Sequence, residues 1–324
     1  MASKSSLNIV VFGVGAMGSL FGSRLARVAN VTLFGHWPQQ IAALQEQGLT
    51  VMHPDGRESR HTLNVTNDLS QVPAAHIALI LVKSYQTERV MSEVTQVLRP
   101  NGIAITLQNG LGNLDQLAKG VGQKRAVQGV TAQGATIVEP GLLRHAGEGL
   151  TYLAQSSGQE RQVARAAKLF NKAGFATEIV DNADSVIWGK LAINAGINPL
   201  TALLNVPNGF LAQDEKLQRL MSAAASEVAQ VARAQGINLP FADVTSKTTE
   251  VSQATASNRS SMLQDMSRSA PTEIEAISGA VVRFGQSLGI PTPINKFLLW
   301  AIKTKEAGLL NLSLEGLQAE LANI

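Results

Sequence analysis

Apolar residues recur along the first half of the chain in short runs, each followed by a segment with helical spacing. Leu7–Phe12 is such a run and ends in glycine, and Ala16–Val28 follows with a helical pattern. Val31–Phe34 repeats the run. His76–Val82 is almost continuously apolar, as suits a strand covered on both faces. Gln86–Leu98 then predicts a helix, Arg99-Pro100-Asn101-Gly102 a turn, Ile103–Leu107 a strand and Gly112–Leu117 a short helix. Strands alternating with helices predict a mainly parallel, doubly wound sheet.

From Val127 to Leu153 the pattern changes to β-branched residues broken by glycines, with Glu139-Pro140-Gly141 as a hairpin tip. This predicts a β-meander at the far edge of the sheet. A helix over Gln159–Lys172 and a strand over Ala176–Val180 complete the first domain. Beyond Asp181 only helical periodicity is found, over 183–203, 214–235, 243–255, 271–288 and 293–306. The fold class is therefore α/β: an N-terminal Rossmann-type domain over residues 1–181 and an all-helical domain over 182–324.

Composition narrows the class of function. With 45% hydrophobic and 16% charged residues the chain is globular, and its 324 residues suffice for about two cores. A net charge of +3, the lack of a basic arm and 4% aromatics speak against nucleic-acid binding. No apolar run has the length of a membrane span, and the polar MASKSS start is unlike a signal peptide. The chain has no cysteine, and its five histidines (His36, His53, His61, His76, His145) lack metal-type spacing, so no metal site is expected. A cytoplasmic enzyme is the expectation, and a homodimer is one assembly compatible with it.

Two sets of residues carry candidate chemistry. Gly13-Val14-Gly15-Ala16-Met17-Gly18 is a G-x-G-x-x-G placed between the first strand and first helix. Gly13 would permit a tight turn, Gly15 the approach of a pyrophosphate and Gly18 close packing of helix on strand, with free N–H groups at the helix start. The second strand ends in Leu33-Phe34-Gly35-His36-Trp37, without the acid that holds the ribose 2′-hydroxyl of NAD. NADP is favoured and NAD stays open. Lys83 and Asn109 fall where predicted strands end, the ligand edge of such sheets.

The second set lies in WGKLAINAGINPL. Lys190, Asn194 and Asn198 are spaced by four and so share one helix face, flanked by Gly189, Ala192, Ala195 and Gly196. From this segment alone, a solvated stripe and the lining of a cleft fit equally well. Asn198, preceding Pro199, is expected to end its helix. Asn258, Ser261 and Glu273 are further candidates, with Glu273 near the start of the helix predicted from 271. Capping and helix-dipole roles are the plain alternatives for these three. A nucleotide domain followed by a helical one is expected to bind substrate between them, with the acid–base groups on the second.

These motifs together carry a resemblance. GVGAMG, VKSYQT, LQNGLG, GATIVEPGLLRHAGEG, WGKLAINAGINPLTALLN, SSMLQD, PTEIE and GIPTPIN stand in the order and spacing of the ketopantoate reductase (2-dehydropantoate 2-reductase) family. The resemblance implies NADPH-dependent reduction of ketopantoate to pantoate, in pantothenate biosynthesis. It implies that Lys190 protonates the carbonyl oxygen and Glu273 binds the substrate hydroxyl. Asn194, Asn198, Asn258 and Ser261 would hold the keto acid. Gly13, Gly15, Ala16, Met17, Gly18, His36, Lys83 and Asn109 would serve the cofactor, and Asn109 the substrate as well. Two departures stand out: His36 replaces the family's common arginine, and Glu275-Ala276-Ile277-Ser278 replaces a usual Asp-aromatic-Ile-Asn. The rivals are a related dehydrogenase for another 2-hydroxy acid and a regulatory NADPH-binding protein without turnover.

Overall fold

The structure is a computed structural model, and residues 5–309 are described below; the first four residues of the polar start and the end of the chain lie outside that range. It comprises two compact units. One runs up to Gln108 and continues over Gly112–Ala183; the other joins Asn109–Leu111 to the chain from Asp184 onward.

The first unit opens with β1 (Asn8–Phe12), α1 (Ala16–Leu25), β2 (Asn30–Phe34) and α2 (Pro38–Glu46). Three short strands follow: β3 (Leu49–Met52), β4 (Glu58–His61) and β5 (Asn64–Thr66). Next are β6 (Ala75–Ile80), α3 (Thr87–Val97), β7 (Leu98–Thr106), α4 (Asn113–Val121) and β8 (Ala126–Thr131). The hairpin β9 (Gly134–Glu139) and β10 (Leu142–Gly147), then β11 (Thr151–Ala154), α5 (Glu160–Lys172) and β12 (Thr177–Val180) close the unit.

The main sheet has the order β12-β11-β8-β7-β6-β1-β2-β5. Its pairings are parallel except β11 with β8. Ile9 and Val11 sit in one core with Leu79 and Ile105, whereas Val10 and Phe12 sit in another with Ala78 and Ile80. Successive residues thus feed cores on opposite faces, which is why these strands read as continuous apolar runs.

Two expectations for this unit are corrected. The 127–153 segment is not one meander at an edge: β8 and β11 belong to the main sheet, while β9 and β10 join β3 and β4 in a second sheet of order β4-β3-β10-β9. Residues 99–102 form no turn but the start of β7, beside a register shift between Ala75 and Ile77. Arg99, Pro100 and Asn101 are exposed there, so the missing N–H of Pro100 costs little. The small sheet itself escaped the pattern because β4, Glu58-Ser59-Arg60-His61, is polar throughout.

The second unit holds α6 (Asp184–Leu204), α7 (Glu215–Ala234), α8 (Val244–Ala254), α9 (Ser261–Ser267), α10 (Ser278–Leu288) and α11 (Pro293–Glu306). Its core is built on Leu191, Leu200, Met221, Val228 and Leu298. Contrary to expectation, α6 does not end at Asn198 but runs through Pro199 to Leu204. Downstream of the proline, the Thr201 hydroxyl donates to the carbonyls of Ile197 and Asn198 at 3.1 and 3.0 Å, and Lys305 Nζ donates to those of Ala202 and Leu203 at 3.1 and 2.6 Å. Lys305 thereby serves carbonyls of the last turn, which the helix itself leaves unserved. The helix expected from 271 begins only at Ser278, and α9 is an additional short helix. No described helix is long and apolar enough to cross a membrane.

Candidate active site

The glycine loop joins β1 to α1 within the first unit. Gly13 has φ +120°, and a Cβ on it would approach the Leu81 backbone to 2.8 Å. A Cβ on Gly18 would collide with the Gly13 carbonyl oxygen, so α1 passes close over the loop only because this residue is glycine. At Gly15, by contrast, an added Cβ would meet nothing within 4 Å. Gly15 caps α1 without a side-chain hydrogen bond, and the first turn, which starts with Ala16 and Met17, has no acidic residue. Open space before uncapped N–H groups at a positive dipole end fits a pyrophosphate.

His36 follows β2 and is not alone. Its Nε2 pairs with Oε1 of Glu93, on α3, at 2.8 Å. Glu93 had no sequence signal: it lies 57 residues on, in a helix of ordinary amphipathic pattern. Lys83 lies three residues beyond β6, half-buried, with its N–H donating to the Gln86 side chain at 3.2 Å. Gln108 is a second residue missed by sequence reasoning. Its amide donates to the Val82 carbonyl and the Thr87 hydroxyl, both at 2.8 Å, and its oxygen accepts from Thr106 at 2.9 Å. It therefore ties together the ends of β6 and β7. The only signal was its place in Leu107-Gln108-Asn109-Gly110, read as a strand end.

The second unit gathers the proposed acid–base groups. Asn109, counted with this unit, donates its amide to Glu273 Oε2 at 3.4 Å. The neighbouring Leu111 N–H donates to the Ala276 carbonyl at 3.0 Å, and Gly110 between them has φ +80°. Glu273 is buried, in a turn over 273–277 rather than in a helix. This accounts for the late start of α10. The carbonyl of Glu273 accepts from Ala276 and Ile277, and that of Ala276 is given to Leu111 instead of a helix.

Lys190 is half-buried on α6. Desolvation brings its pKa down to about 8, and the negative charge of Glu273 opposes that shift. Lys190 and Glu273 thus influence each other electrostatically, and Asn109 is bonded to the latter. Asn194 and Asn198 follow Lys190 on the helix, half-buried and buried respectively. The small residues beside them answer to packing: a Cβ on Gly189 would press on Pro240 at 2.7 Å, and one on Gly196 on the Met221 carbonyl at 2.8 Å.

Asn258 and Ser261 are not joined to this group by any hydrogen bond among the described residues. Asn258 is exposed, with its carbonyl accepting from the Asn208 N–H at 2.9 Å. Ser261 opens α9, whose cap is Ser260; the Ser260 hydroxyl accepts from Leu263 N–H and lies 2.7 Å from the Thr201 hydroxyl. No cluster of three or more metal-type side chains occurs among the described residues.

Comparison with known proteins identifies the family. Residues 9–158 match the family model described as ketopantoate reductase PanE/ApbA, and residues 182–306 match its C-terminal counterpart. The chain belongs to the ketopantoate reductase family. A 2-dehydropantoate 2-reductase of Halobacterium salinarum is 36% identical over 294 residues, covering 90% of this chain and 96% of the relative. One of Archaeoglobus fulgidus is 34% identical, covering 93% and 98%. Among solved structures, a PanE/ApbA family ketopantoate reductase from Ralstonia eutropha superposes with a TM-score of 0.85 at 30% identity, over 94% of this chain and 99% of its own. A D-mandelate dehydrogenase solved with NADH and anilino(oxo)acetate gives the same TM-score at 26% identity, over the same shares. In this ketopantoate reductase family member, then, the glycine loop and Lys190 each fall within a family match.

Proposed function

We propose that the protein reduces 2-dehydropantoate (ketopantoate) to pantoate with NADPH. Dinucleotide binding is assigned to residues 1–181 and catalysis to 182–324, with Asn109 added. The observation that carries the reading is Lys190, a lysine that burial brings down to a pKa of about 8 against the opposing charge of a buried carboxylate, Glu273. A proton donor is most effective when its pKa lies near the working pH, and an ordinary surface lysine is too weak an acid.

When bound, the nicotinamide supplies hydride to the keto carbon. Lys190 hands its proton to the carbonyl oxygen, and its positive charge steadies the oxygen while negative charge builds there. Glu273, buried and bonded to Asn109, accepts a hydrogen bond from the substrate hydroxyl and repels a second carboxylate, which orients ketopantoate in one sense. Asn194 and Asn198 orient the keto acid, and Ser261 and Asn258 serve its carboxylate end. Gly13, Gly15, Ala16, Met17 and Gly18 hold the pyrophosphate, with Lys83 and His36 toward the rest of the cofactor. NADPH is preferred because no carboxylate directly follows β2 in the sequence. A cytoplasmic location follows from dependence on the nicotinamide pool.

The test is a reduction assay on ketopantoate with each cofactor, in the wild type and in Lys190→Ala. The variant is expected to lose roughly 10²–10⁴ in kcat with unchanged cofactor affinity. Near-normal turnover would remove Lys190 from the mechanism.

A further inference from the structure

His36 and Glu93 form a pair that an exposed ion pair does not resemble. His36 Nε2 and Glu93 Oε1 lie 2.8 Å apart, and the other carboxylate oxygen, Oε2, is shielded from solvent with no hydrogen-bond partner among the described residues. The Glu93 side chain is only 18% exposed, against 42% for His36, so the carboxylate is the more deeply set of the two. The ring is also set edge-on to Phe34 at 5.2 Å. An orphaned carboxylate oxygen is costly, and the bond to His36 is the one that this side chain makes. Both residues stand at the carboxyl end of β2, where a Rossmann-type domain receives the 2′-position of the adenosine ribose.

A carboxylate only accepts hydrogen bonds, so the imidazole nitrogen facing it carries the hydrogen. In a neutral ring the remaining nitrogen, Nδ1, is then an acceptor. An acceptor suits the 2′-hydroxyl of NAD, which can donate, and opposes the oxygens of a 2′-phosphate, which cannot. We infer that Glu93 is a specificity-determining positioning residue: by fixing the tautomer of His36 it lowers the preference for NADP over NAD. The inference rests on the dinucleotide-binding reading of this unit. It holds that the acid missing after β2 in the sequence is supplied from α3, one residue removed, through the histidine.

Glu93→Gln tests it, because a glutamine amide of the same size can donate to Nε2 and so permit hydrogen on Nδ1. Calorimetric titration of the full chain with NADP⁺ and NAD⁺, in a buffer at about pH 8.5 and hence above the range of model imidazoles, reads the preference without turnover. The ratio of the two dissociation constants is expected to move toward NADP⁺ by about tenfold, the weight of one hydrogen bond. NAD⁺ binding retained by the variant shows that it has folded. Nitrogen NMR of isotopically labelled histidine, with His36 assigned by its loss in His36→Ala, should place hydrogen on Nε2 in the wild type and on Nδ1 in Glu93→Gln. The combined Glu93→Gln, His36→Ala protein should show no further change in the ratio relative to His36→Ala. An unchanged ratio in Glu93→Gln, an unchanged tautomer, or an equal shift without the histidine would each overturn the inference. Failure of the wild type to bind either dinucleotide would instead strike the underlying reading, and the inference with it.

Discussion

Glu273 acts on the charge state of Lys190. Desolvation lowers the lysine pKa to about 8, and the glutamate keeps it from falling further. Removing that negative charge in Glu273→Gln should therefore carry the lysine pKa lower still. The alkaline fall of the reduction rate would then begin at a lower pH than in the wild type. The same variant should lose more kcat/KM on ketopantoate than on 2-oxoisovalerate, which lacks the hydroxyl, because a site built to bond a hydroxyl discriminates through its own polar group. Equal losses on both substrates, with an unmoved pH profile, would take Glu273 out of the site. The lysine and the two asparagines of α6 were legible as a face because helical spacing is regular. The place of Glu273 was not: Pro271-Thr272-Glu273 looks like a helix start, while its turn closes on the Glu273 carbonyl and is tied by one backbone bond, Leu111 N–H to Ala276, to a residue more than 160 positions earlier.

The link over 109–111 is where an element can be tested. Gly110 has φ +80°, and a Cβ there would collide with the Ala276 carbonyl that accepts from Leu111. Gly110→Ala should cost about 1–3 kcal/mol in denaturant unfolding, from left-handed backbone and collision together. It should also lower kcat, because Asn109 is displaced from Glu273. An alanine variant with wild-type stability and turnover would show that this link bears no strain. Other elements show what pattern reading catches and misses. The β1, β2 and β6 runs were legible because both of their faces are covered. The polar β4 and the seven-residue α9 were not, being respectively without alternation and too short to show a period. Pro199 misled for a further reason: the helix runs on past it to Leu204, where Lys305, more than 100 residues away, serves the last carbonyls.

At the scale of the whole molecule, both units have a family counterpart, and the relatives are covered almost end to end. The α/β class, the helical second unit and the family were all legible, since the first two depend on periodicity and the third on long ordered motifs. The pairing of His36 with Glu93 was not, because Glu93 reaches His36 only through the fold. What unites the account is a lysine whose acidity has been brought into the working range, and a single profile tests it. The measurement is kcat/KM for ketopantoate reduction against pH, with saturating NADPH. The rate should fall by one decade per pH unit above an apparent pKa near that of Lys190, about 8. A rate that stays level into the ordinary lysine range, about pH 10, would contradict it.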